Sequence, residues 1–247
     1  MKLYVVYTPS HELLFRDWFM SSLKDPYELV VRKVEQIAPS GSFMESGWLD
    51  TMHHKIDLIL DGIRENPGQV FVHSDVDVQF FRPTIPLISR LMQGKDFLVQ
   101  RDTPWGMVCA GFFACRANEK TERLWIDIKA NLGKIDKKLS DQDLLNHYLW
   151  DHGLIERLTP RRVRRFPGRA SLKALSSLNP WYANPYHIRW AYLPDCFMSG
   201  GTTTGRLWQP GQNLAVPRDI VLHHANWTIG LPNKVAQLDY VRKAATR

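Results

Sequence analysis

The feature that most constrains the fold of this chain is a regular exchange of two apolar patterns over roughly its first 150 residues. Short apolar runs typical of strands, such as KLYVVY and YELVVRKV, alternate with longer segments in which apolar residues recur every three or four positions. The segment LDTMHHKIDLILDGI, for example, aligns its apolar residues on one stripe, as an amphipathic helix does. The order of these segments predicts strand, helix, strand, helix, strand.

Such alternation predicts an α/β fold with a Rossmann-like, mostly parallel central sheet and helices on both faces. Beyond about residue 160 the pattern gives way to sequence rich in Pro, Gly, Arg and aromatic residues, in which DIVLHHANW is the clearest strand-like piece. No internal repeat or long linker divides the chain. We therefore expect residues 1–247 to form a single domain with an irregular C-terminal region.

Cysteine usage and the N-terminal sequence indicate the compartment. The three cysteines, Cys109, Cys115 and Cys196, form no C-x-x-C pair, so neither a disulfide framework nor a cysteine zinc site is predicted. The apolar run near the N-terminus is too short for a secretory signal, and no stretch has the length of a transmembrane helix. These features predict a soluble, cytoplasmic protein.

The net charge of +7 favours an anionic partner, such as a phosphorylated small molecule, an acidic membrane surface or nucleic acid. The segment RRVRRFPGR concentrates this charge and includes Arg161, Arg162, Arg164 and Arg165. It is either a solvated basic loop or a phosphate-binding or membrane-contacting surface that would hold the protein at the inner membrane face. Nucleic acid is disfavoured, because no recognised nucleic-acid motif is present and the aromatic residues do not interleave with this basic run.

Two aspartates, Asp75 and Asp77, stand where the apolar run FVHS ends. Ligands of α/β sheets bind at the carboxyl ends of strands, and residues two apart on an extended segment point to the same side. Two converging carboxylates repel each other unless a cation lies between them, and Mn²⁺ or Mg²⁺ would serve while leaving coordination positions open for a phosphate. Taken alone, the pair is also compatible with a solvated turn.

In its context this pair resembles the D-x-D segment of glycosyltransferases with the GT-A fold, and the order of motifs along the chain resembles the nucleotide-diphospho-sugar transferase family. The resemblance implies an enzyme that moves a sugar from a nucleotide-diphosphate sugar, UDP-linked, to a hydroxyl of a glycan or lipid-linked acceptor, as in polysaccharide biosynthesis. It also implies a nucleotide-sugar-binding part over residues 1–118 and an acceptor-side and closing part over 119–247.

Several motifs match the family's donor-binding segments. The turn YTPS would cradle the nucleoside, Lys55 lies about twenty residues before the D-x-D pair, and CAGFF would contact the sugar, with Cys109 where the family usually has Asn. The nucleotide-sugar contacts implied by the resemblance are Thr8, Pro9, Ser10, Lys55, Asp75, Ala110, Gly111, Gly230 and Lys234.

The motif SDQD implies residues at the reacting bond. Ser140 and Asp143 have the spacing of a capping box, which predicts that a helix begins here. In retaining members that the chain resembles, the Asp contacts sugar or acceptor and the Gln lies beneath the anomeric carbon, which assigns these roles to Asp141 and Gln142. Lys234 would add positive charge where the bond breaks.

The closing motif HHANW implies a third metal ligand. By resemblance, His224 joins Asp75 and Asp77 in holding Mn²⁺ or Mg²⁺, and its neighbour His223 is a rival for that role. Carboxylates and an imidazole form a plausible mixed set for such an ion. His73, within the apolar run, is expected to be a strand residue.

Two other functions are weighed against this one. A nucleotidyltransferase also uses paired acids and a divalent ion, but it usually opens with a glycine-rich phosphate loop, and YTPSHELL contains no glycine. The other alternative is a non-catalytic basic module that binds phosphorylated or nucleic-acid ligands through the arginine cluster.

Overall fold

A central sheet of six strands organises the protein. The computed structural model describes residues 1–39, 45–104, 106–134, 140–149, 184–202 and 205–246. In chain order the strands of this sheet are β1 (Lys2–Tyr7), β2 (Glu28–Lys33), β3 (Val70–Ser74), β5 (Phe97–Arg101), β6 (Val108–Arg116) and β7 (Trp190–Tyr192). They lie in the spatial order β2-β1-β3-β6-β5-β7.

One strand of this sheet runs against the others. β1 pairs parallel with β2 and β3, and β5 pairs parallel with β7. β6 lies between β3 and β5 and is antiparallel to both, so five strands share one direction. The prediction of a mostly parallel sheet is confirmed. The carboxyl ends of β1, β3 and β5 consequently lie at one edge.

Helices cover both faces of this sheet, as predicted. They are α1 (Glu12–Leu14), which continues as a π-helical segment over Phe15–Met20, α2 (Trp48–Glu65), α3 (Ile85–Leu91), α4 (Glu119–Asn131), α5 (Asp141–Leu149) and α6 (Leu231–Ala245). Ile59, Trp125 and Leu145, from α2, α4 and α5, belong to the core cluster on one face. Phe19 and Ile88 belong to the cluster on the other. In the part of the chain that the structure describes, no helix has both the length and the apolar character needed to cross a bilayer.

A second sheet, of three strands, begins just after the D-x-D pair. The expectation that the pair lies on one extended segment is therefore wrong. β3 ends at Ser74, and the chain bends before β4 (Val78–Phe80), which belongs to the other sheet with β8 (Phe197–Ser199) and β9 (Leu222–His224). Asp75 and Asp77 therefore lie on a connection between two sheets rather than on one strand. The bend, and not strand alternation, brings their side chains together.

The described part of the C-terminal region, from residue 184, contains regular elements. The strand predicted within DIVLHHANW is β9, which pairs antiparallel with β4 and parallel with β8. The helix α6, absent from the sequence prediction, follows Gly230 and buries Leu238 and Val241 completely. Its apolar residues make no continuous stripe, and Pro232 near its start reads in sequence as a turn. The arginine cluster at 161–169 lies outside the described residues.

Candidate functional site

A cleft of about 460 Å³ opens at the edge of the central sheet where β1, β3 and β5 end. Thr8, Asp75 and Asp102, the residues that immediately follow these three strands, all line it. The predicted site residues that line the cleft are Thr8, Lys55, Asp75, Asp77, Ala110, Gly111, Asp141, Gln142, His224, Gly230 and Lys234. Their convergence from distant parts of the chain makes this cleft the candidate site.

The YTPS turn meets the cleft through only part of its length. Thr8 is buried and lines the cleft, whereas Pro9 and Ser10 do not line it and Pro9 is exposed. His11, the next residue, does line it. Its Nδ1 lies 2.9 Å from the hydroxyl of Ser10, so Ser10 contacts a cleft residue rather than the cleft itself.

Asp75, Asp77 and His224 form a group in which one ligand atom of each lies within 4.8 Å of the others. His224 Nε2 is 3.2 Å from Asp77 Oδ1 and 3.9 Å from Asp75 Oδ2. The second sheet brings them together, because His224 at the end of β9 is the register partner of Val78, the residue after Asp77. Two carboxylate oxygens and an imidazole nitrogen at such spacing can hold a hard or borderline divalent cation.

Lysines neutralise the other oxygen of each aspartate. Lys55 Nζ is 3.1 Å from Asp75 Oδ1, and Lys234 donates to Asp77 Oδ2 and, at 3.2 Å, to the carbonyl of Ala225. Burial by itself would raise the pKa of Asp75, but Lys55 chiefly lowers it, to about 2. Burial is likewise outweighed at Asp77, where Lys234 and His224 hold the pKa well below its usual value. Both carboxylates are therefore ionised at neutral pH.

Lys55 is almost fully buried between two carboxylates. Its Nζ lies 3.1 Å from both Asp75 Oδ1 and Asp141 Oδ2. Burial opposes its charge, but Asp141 and Asp75 together raise the pKa of Lys55 above its usual value. The ammonium thus joins the D-x-D connection to helix α5, and its predicted contact with a diphosphate remains a prediction.

Gly111 must lack a side chain for this arrangement to exist. A Cβ at this position would lie 2.1 Å from His224 Cε1 and 2.8 Å from Asp75 Oδ2. The backbone supports the same contact, because Asp75 N–H donates to the Gly111 carbonyl at 2.7 Å. The register of β5 against β6 also shifts here, from Val99 opposite Phe113 to Gln100 opposite Cys109, which leaves 110–112 unpaired with β5.

The SDQD motif begins helix α5 with a capping box, as predicted. Ser140 Oγ accepts from Asp143 N–H at 3.0 Å, and Asp143 Oδ2 accepts from Ser140 N–H at 2.9 Å. Asp141 and Gln142 lie in the first turn and face the cleft. Gln142 Oε1 accepts from the backbone N–H of Ala110 at 3.1 Å, so the side chain is tied to the irregular part of β6.

Asp102 is the main cleft residue that the sequence interpretation missed. It is fully buried, and its carboxylate accepts from Asn226 at 2.7 Å, Trp227 at 2.9 Å and Gln142 at 3.2 Å. Burial raises the pKa of Asp102 to about 6 despite these donors. The available signal was its position, one residue after an apolar strand, which it shares with Asp75.

The segment after β9 supplies one wall of the cleft. Trp227 has a left-handed backbone with φ of 53°, a conformation that costs a non-glycine residue about 1 kcal/mol. Its indole packs over Gly201, where a Cβ would lie 2.2 Å from Trp227 Cδ1. Leu207 and Ile229, both about half exposed, line the cleft beside it.

The other histidines of these motifs are placed differently. His223 is buried and does not line the cleft, and burial lowers its pKa to about 3. Only His224 of the pair joins the acidic group. His73 lies in β3, as expected, and its Nε2 is 3.5 Å from Asp75 Oδ1.

A solved glycosyltransferase structure shares the fold of this chain. A glycosyltransferase involved in the glycosylation of the major capsid of PBCV-1 matches 98% of this chain and 100% of its own at 9% identity, with a TM-score of 0.56. The glycosyltransferase GlyE of Streptococcus pneumoniae TIGR4 matches 97% of this chain and 60% of its own at 9% identity, with a TM-score of 0.49. No curated protein sequence matches the chain significantly. The first likeness confirms the GT-A type of fold.

Comparison with family models identifies the family of the chain, whereas the likeness to solved structures shows only its fold. The family model for nucleotide-diphospho-sugar transferases matches residues 21–238, which contain every predicted site residue except the YTPS turn. With a nucleotide-sugar donor and a glycan acceptor implied by that family, the alternatives of a nucleotidyltransferase and a non-catalytic basic module are set aside. The chain belongs to the nucleotide-diphospho-sugar transferase family and is a glycosyltransferase.

Proposed function

We propose that this glycosyltransferase is metal-dependent and transfers a sugar from a UDP-sugar to a hydroxyl of a glycan or lipid-linked acceptor, with retention of configuration. The observation that carries the proposal is the close group formed by Asp75, Asp77 and His224, whose ligand atoms lie within 4.8 Å of one another. These residues would hold Mn²⁺ or Mg²⁺. When bound, the ion would neutralise negative charge on the diphosphate that leaves with the nucleoside.

The charge balance of the cleft supports a divalent cation. Asp75, Asp77 and Asp141 contact Lys55 and Lys234, and Asp102 and Asp143 line the same cleft, so its carboxylates outnumber its lysines by five to two. A divalent ion would offset two of these negative charges. An anionic diphosphate would then be repelled less than in the absence of metal.

The start of helix α6 suits the diphosphate. Gly230, with φ of 83°, is the N-cap and supplies no side chain to the first N–H groups of a 15-residue helix. Free N–H groups and the positive end of the helix dipole favour phosphate at this position. Lys234, one turn into the helix, has its ammonium at the metal group and would stabilise the charge that develops on the leaving group.

The nucleoside and sugar would lie on either side of this centre. The proposal places the nucleoside at Thr8, Pro9 and Ser10 after β1. It places the sugar at Ala110 and Gly111, which line the cleft next to the metal group.

Retention is supported by the state of the cleft carboxylates. Inversion would need a carboxylate free to take the proton of the acceptor hydroxyl. Each aspartate that lines the cleft in the described part of the chain already has a lysine, backbone or side-chain partner. Gln142, fixed by Ala110 and Asp102, would lie beneath the anomeric carbon, and Asp141 would contact sugar or acceptor.

The experiment that tests this function is a screen of nucleotide sugars with Mn²⁺, Mg²⁺ or EDTA, measuring release of the nucleoside diphosphate. We expect release from a UDP-sugar with Mn²⁺ or Mg²⁺ and near-background release with EDTA. Equal release with EDTA would overturn the metal dependence, and a preference for GDP-, ADP- or dTDP-sugars would overturn the choice of uridine. Proton NMR of the first product would show the donor's anomeric configuration if the enzyme retains it.

We also propose that the enzyme acts in polysaccharide biosynthesis in the cytoplasm, with Arg161, Arg162, Arg164 and Arg165 contacting the inner membrane face. The basic balance of the chain supports attraction to anionic lipid. Co-sedimentation with vesicles containing phosphatidylglycerol tests it. Binding should fall with added salt and with replacement of the four arginines by glutamine, and equal sedimentation of that variant would contradict the proposal.

A further inference from the structure

Gln100 is a fully buried residue of β5 that touches the candidate metal group from behind. Its Oε1 lies 3.2 Å from Nδ1 of His224, on the side of the imidazole ring opposite the nitrogen that faces Asp75 and Asp77. The predicted motifs do not include this residue.

The orientation of the Gln100 amide is fixed by its other contacts. Its Nε2 donates to the backbone carbonyls of Phe197 at 3.0 Å and Met198 at 2.8 Å, both in β8. Carbonyls only accept hydrogen bonds, so this end of the amide must be the NH₂ group. The end that faces His224 is therefore the oxygen, which can only accept.

An accepting oxygen determines where the imidazole carries its proton. His224 Nδ1 must donate to Gln100 Oε1, so the neutral ring is protonated at Nδ1 and Nε2 keeps its lone pair. Nε2 is the atom 3.2 Å from Asp77 Oδ1 and 3.9 Å from Asp75 Oδ2. Lone pairs of three ligand atoms then point to one place, an arrangement that a cation stabilises.

The contact between Gln100 and His224 lies where the pairing of β5 with β6 is irregular. The register of β5 against β6 shifts between Val99 and Gln100, and such a shift re-aims the side chain beside it. Gln100 can then reach β8 and β9 of the second sheet from the central sheet. Cys109, its register partner after the shift, lies on the same side of the ring, with Sγ 3.4 Å from His224 Nδ1.

We propose that Gln100 is a positioning residue of the metal centre, which holds His224 in the Nδ1-protonated tautomer and so presents Nε2 as a ligand. The role rests on the proposed metal dependence. Outer partners of this kind typically change metal affinity about 10- to 100-fold when they are removed.

The test has one readout that needs no metal. Long-range ¹H–¹⁵N NMR of the metal-free protein, with the His224 signals assigned from His224→Gln, reports which ring nitrogen is protonated. We expect Nδ1 of the wild type to carry a proton, while Nε2, which faces the ionised Asp77, can carry a second proton that a bound cation would replace. Gln100→Met removes the acceptor and should shift the ring toward the Nε2-protonated form, whereas Gln100→Glu keeps an accepting oxygen and should retain Nδ1–H.

Mn²⁺ titration followed by electron paramagnetic resonance gives the second readout. Gln100→Met should bind Mn²⁺ about 10- to 100-fold more weakly than the wild type. Gln79→Met is the matched control, because Gln79 is a buried glutamine whose register partner is His223 rather than His224. Its Mn²⁺ affinity should stay within about twofold of the wild type.

Each result supports or overturns the inference. A wild-type ring without a proton on Nδ1, or a Gln100→Met variant with unchanged tautomer and unchanged Mn²⁺ affinity, overturns it. If Gln100→Met fails to fold, the wild-type tautomer and the Gln100→Glu variant still decide. If the wild type shows Nδ1–H but binds no Mn²⁺, the metal dependence fails while the assignment of the tautomer to Gln100 stands.

Discussion

Gln142 donates its side-chain amide to Oδ2 of Asp102, 3.2 Å away, and this buried carboxylate links the SDQD helix to the wall formed after β9. The same carboxylate accepts from Asn226 and Trp227, so the position of Gln142 depends on residues about eighty positions further along the chain. A change in the charge of Asp102 should therefore affect both stability and the proposed reacting centre.

The pH dependence of stability tests the state of Asp102. Its pKa is raised from 3.8 to about 6 in the folded protein, so the folded state binds this proton more tightly than the unfolded state. The stability from that proton is fully present below about pH 4 and is lost as pH rises through about 6. In urea unfolding, the free energy of unfolding of Asp102→Asn relative to the wild type should rise by about 2 kcal/mol between pH 4 and pH 7. The same difference at both pH values would contradict the raised pKa.

Replacing Asp77 tests the metal group directly. Asp77→Asn keeps one side-chain oxygen but removes the negative charge that faces His224 Nε2 and Lys234, so Mn²⁺ affinity should fall by roughly 100-fold or more. Release of nucleoside diphosphate should fall with it. The matched control is Asp219→Asn, the same chemical change at an exposed position, which should leave Mn²⁺ titration and activity unchanged. Equal Mn²⁺ affinity in Asp77→Asn and the wild type would exclude the proposed ligand set.

Gly111→Ala tests the space beside the metal group. The added Cβ would lie 2.1 Å from His224 Cε1, so the imidazole must move and Mn²⁺ affinity should drop at least tenfold. Gly94→Ala serves as control, because nothing lies within 4 Å of its Cβ and its φ of 68° makes alanine strained. This control should lose about 1 kcal/mol of stability and no Mn²⁺ affinity. Unchanged Mn²⁺ binding in Gly111→Ala would show that His224 is not needed for it.

The sequence predicts the fold wherever local periodicity and tertiary packing agree. The alternation through residue 150 gave the sheet and the helices on both faces, because each of those elements buries one regular face. It failed at the D-x-D pair, where β3 ends at Ser74 and β4 begins at Val78 in another sheet. The apolar periodicity of a sequence does not show that the chain passes from one sheet to another. The helix α6 was not predicted for a related reason: it has no apolar stripe of its own, and its burial depends on contacts with β9.

Some residues of the candidate site could likewise be predicted from the sequence, and others could not. Asp75, Gln142 and His224 stand in motifs that can be recognised one by one, and the structure brings them to one cleft. Asp102 and Gln100 belong to no motif, because their importance comes from contacts with residues 40 to 124 positions away. Only the fold shows that an ordinary strand glutamine meets the histidine.

Replacing Lys55 tests how much its buried ion pairs with Asp75 and Asp141 contribute to stability. Lys55→Met leaves Asp75 and Asp141 without their shared cation, and breaking such a buried pair costs about 3 kcal/mol or more of unfolding free energy. Lys55→Met combined with Asp141→Asn should recover part of that loss, since one uncompensated charge is removed. The exposed pair of Lys129 with Asp57 is the control, and Lys129→Met should change stability by less than about 1 kcal/mol. Urea unfolding at pH 7 measures all three. A Lys55→Met protein as stable as Lys129→Met would mean that Asp75 and Asp141 find other compensation, such as a bound cation, and added EDTA would then restore the difference.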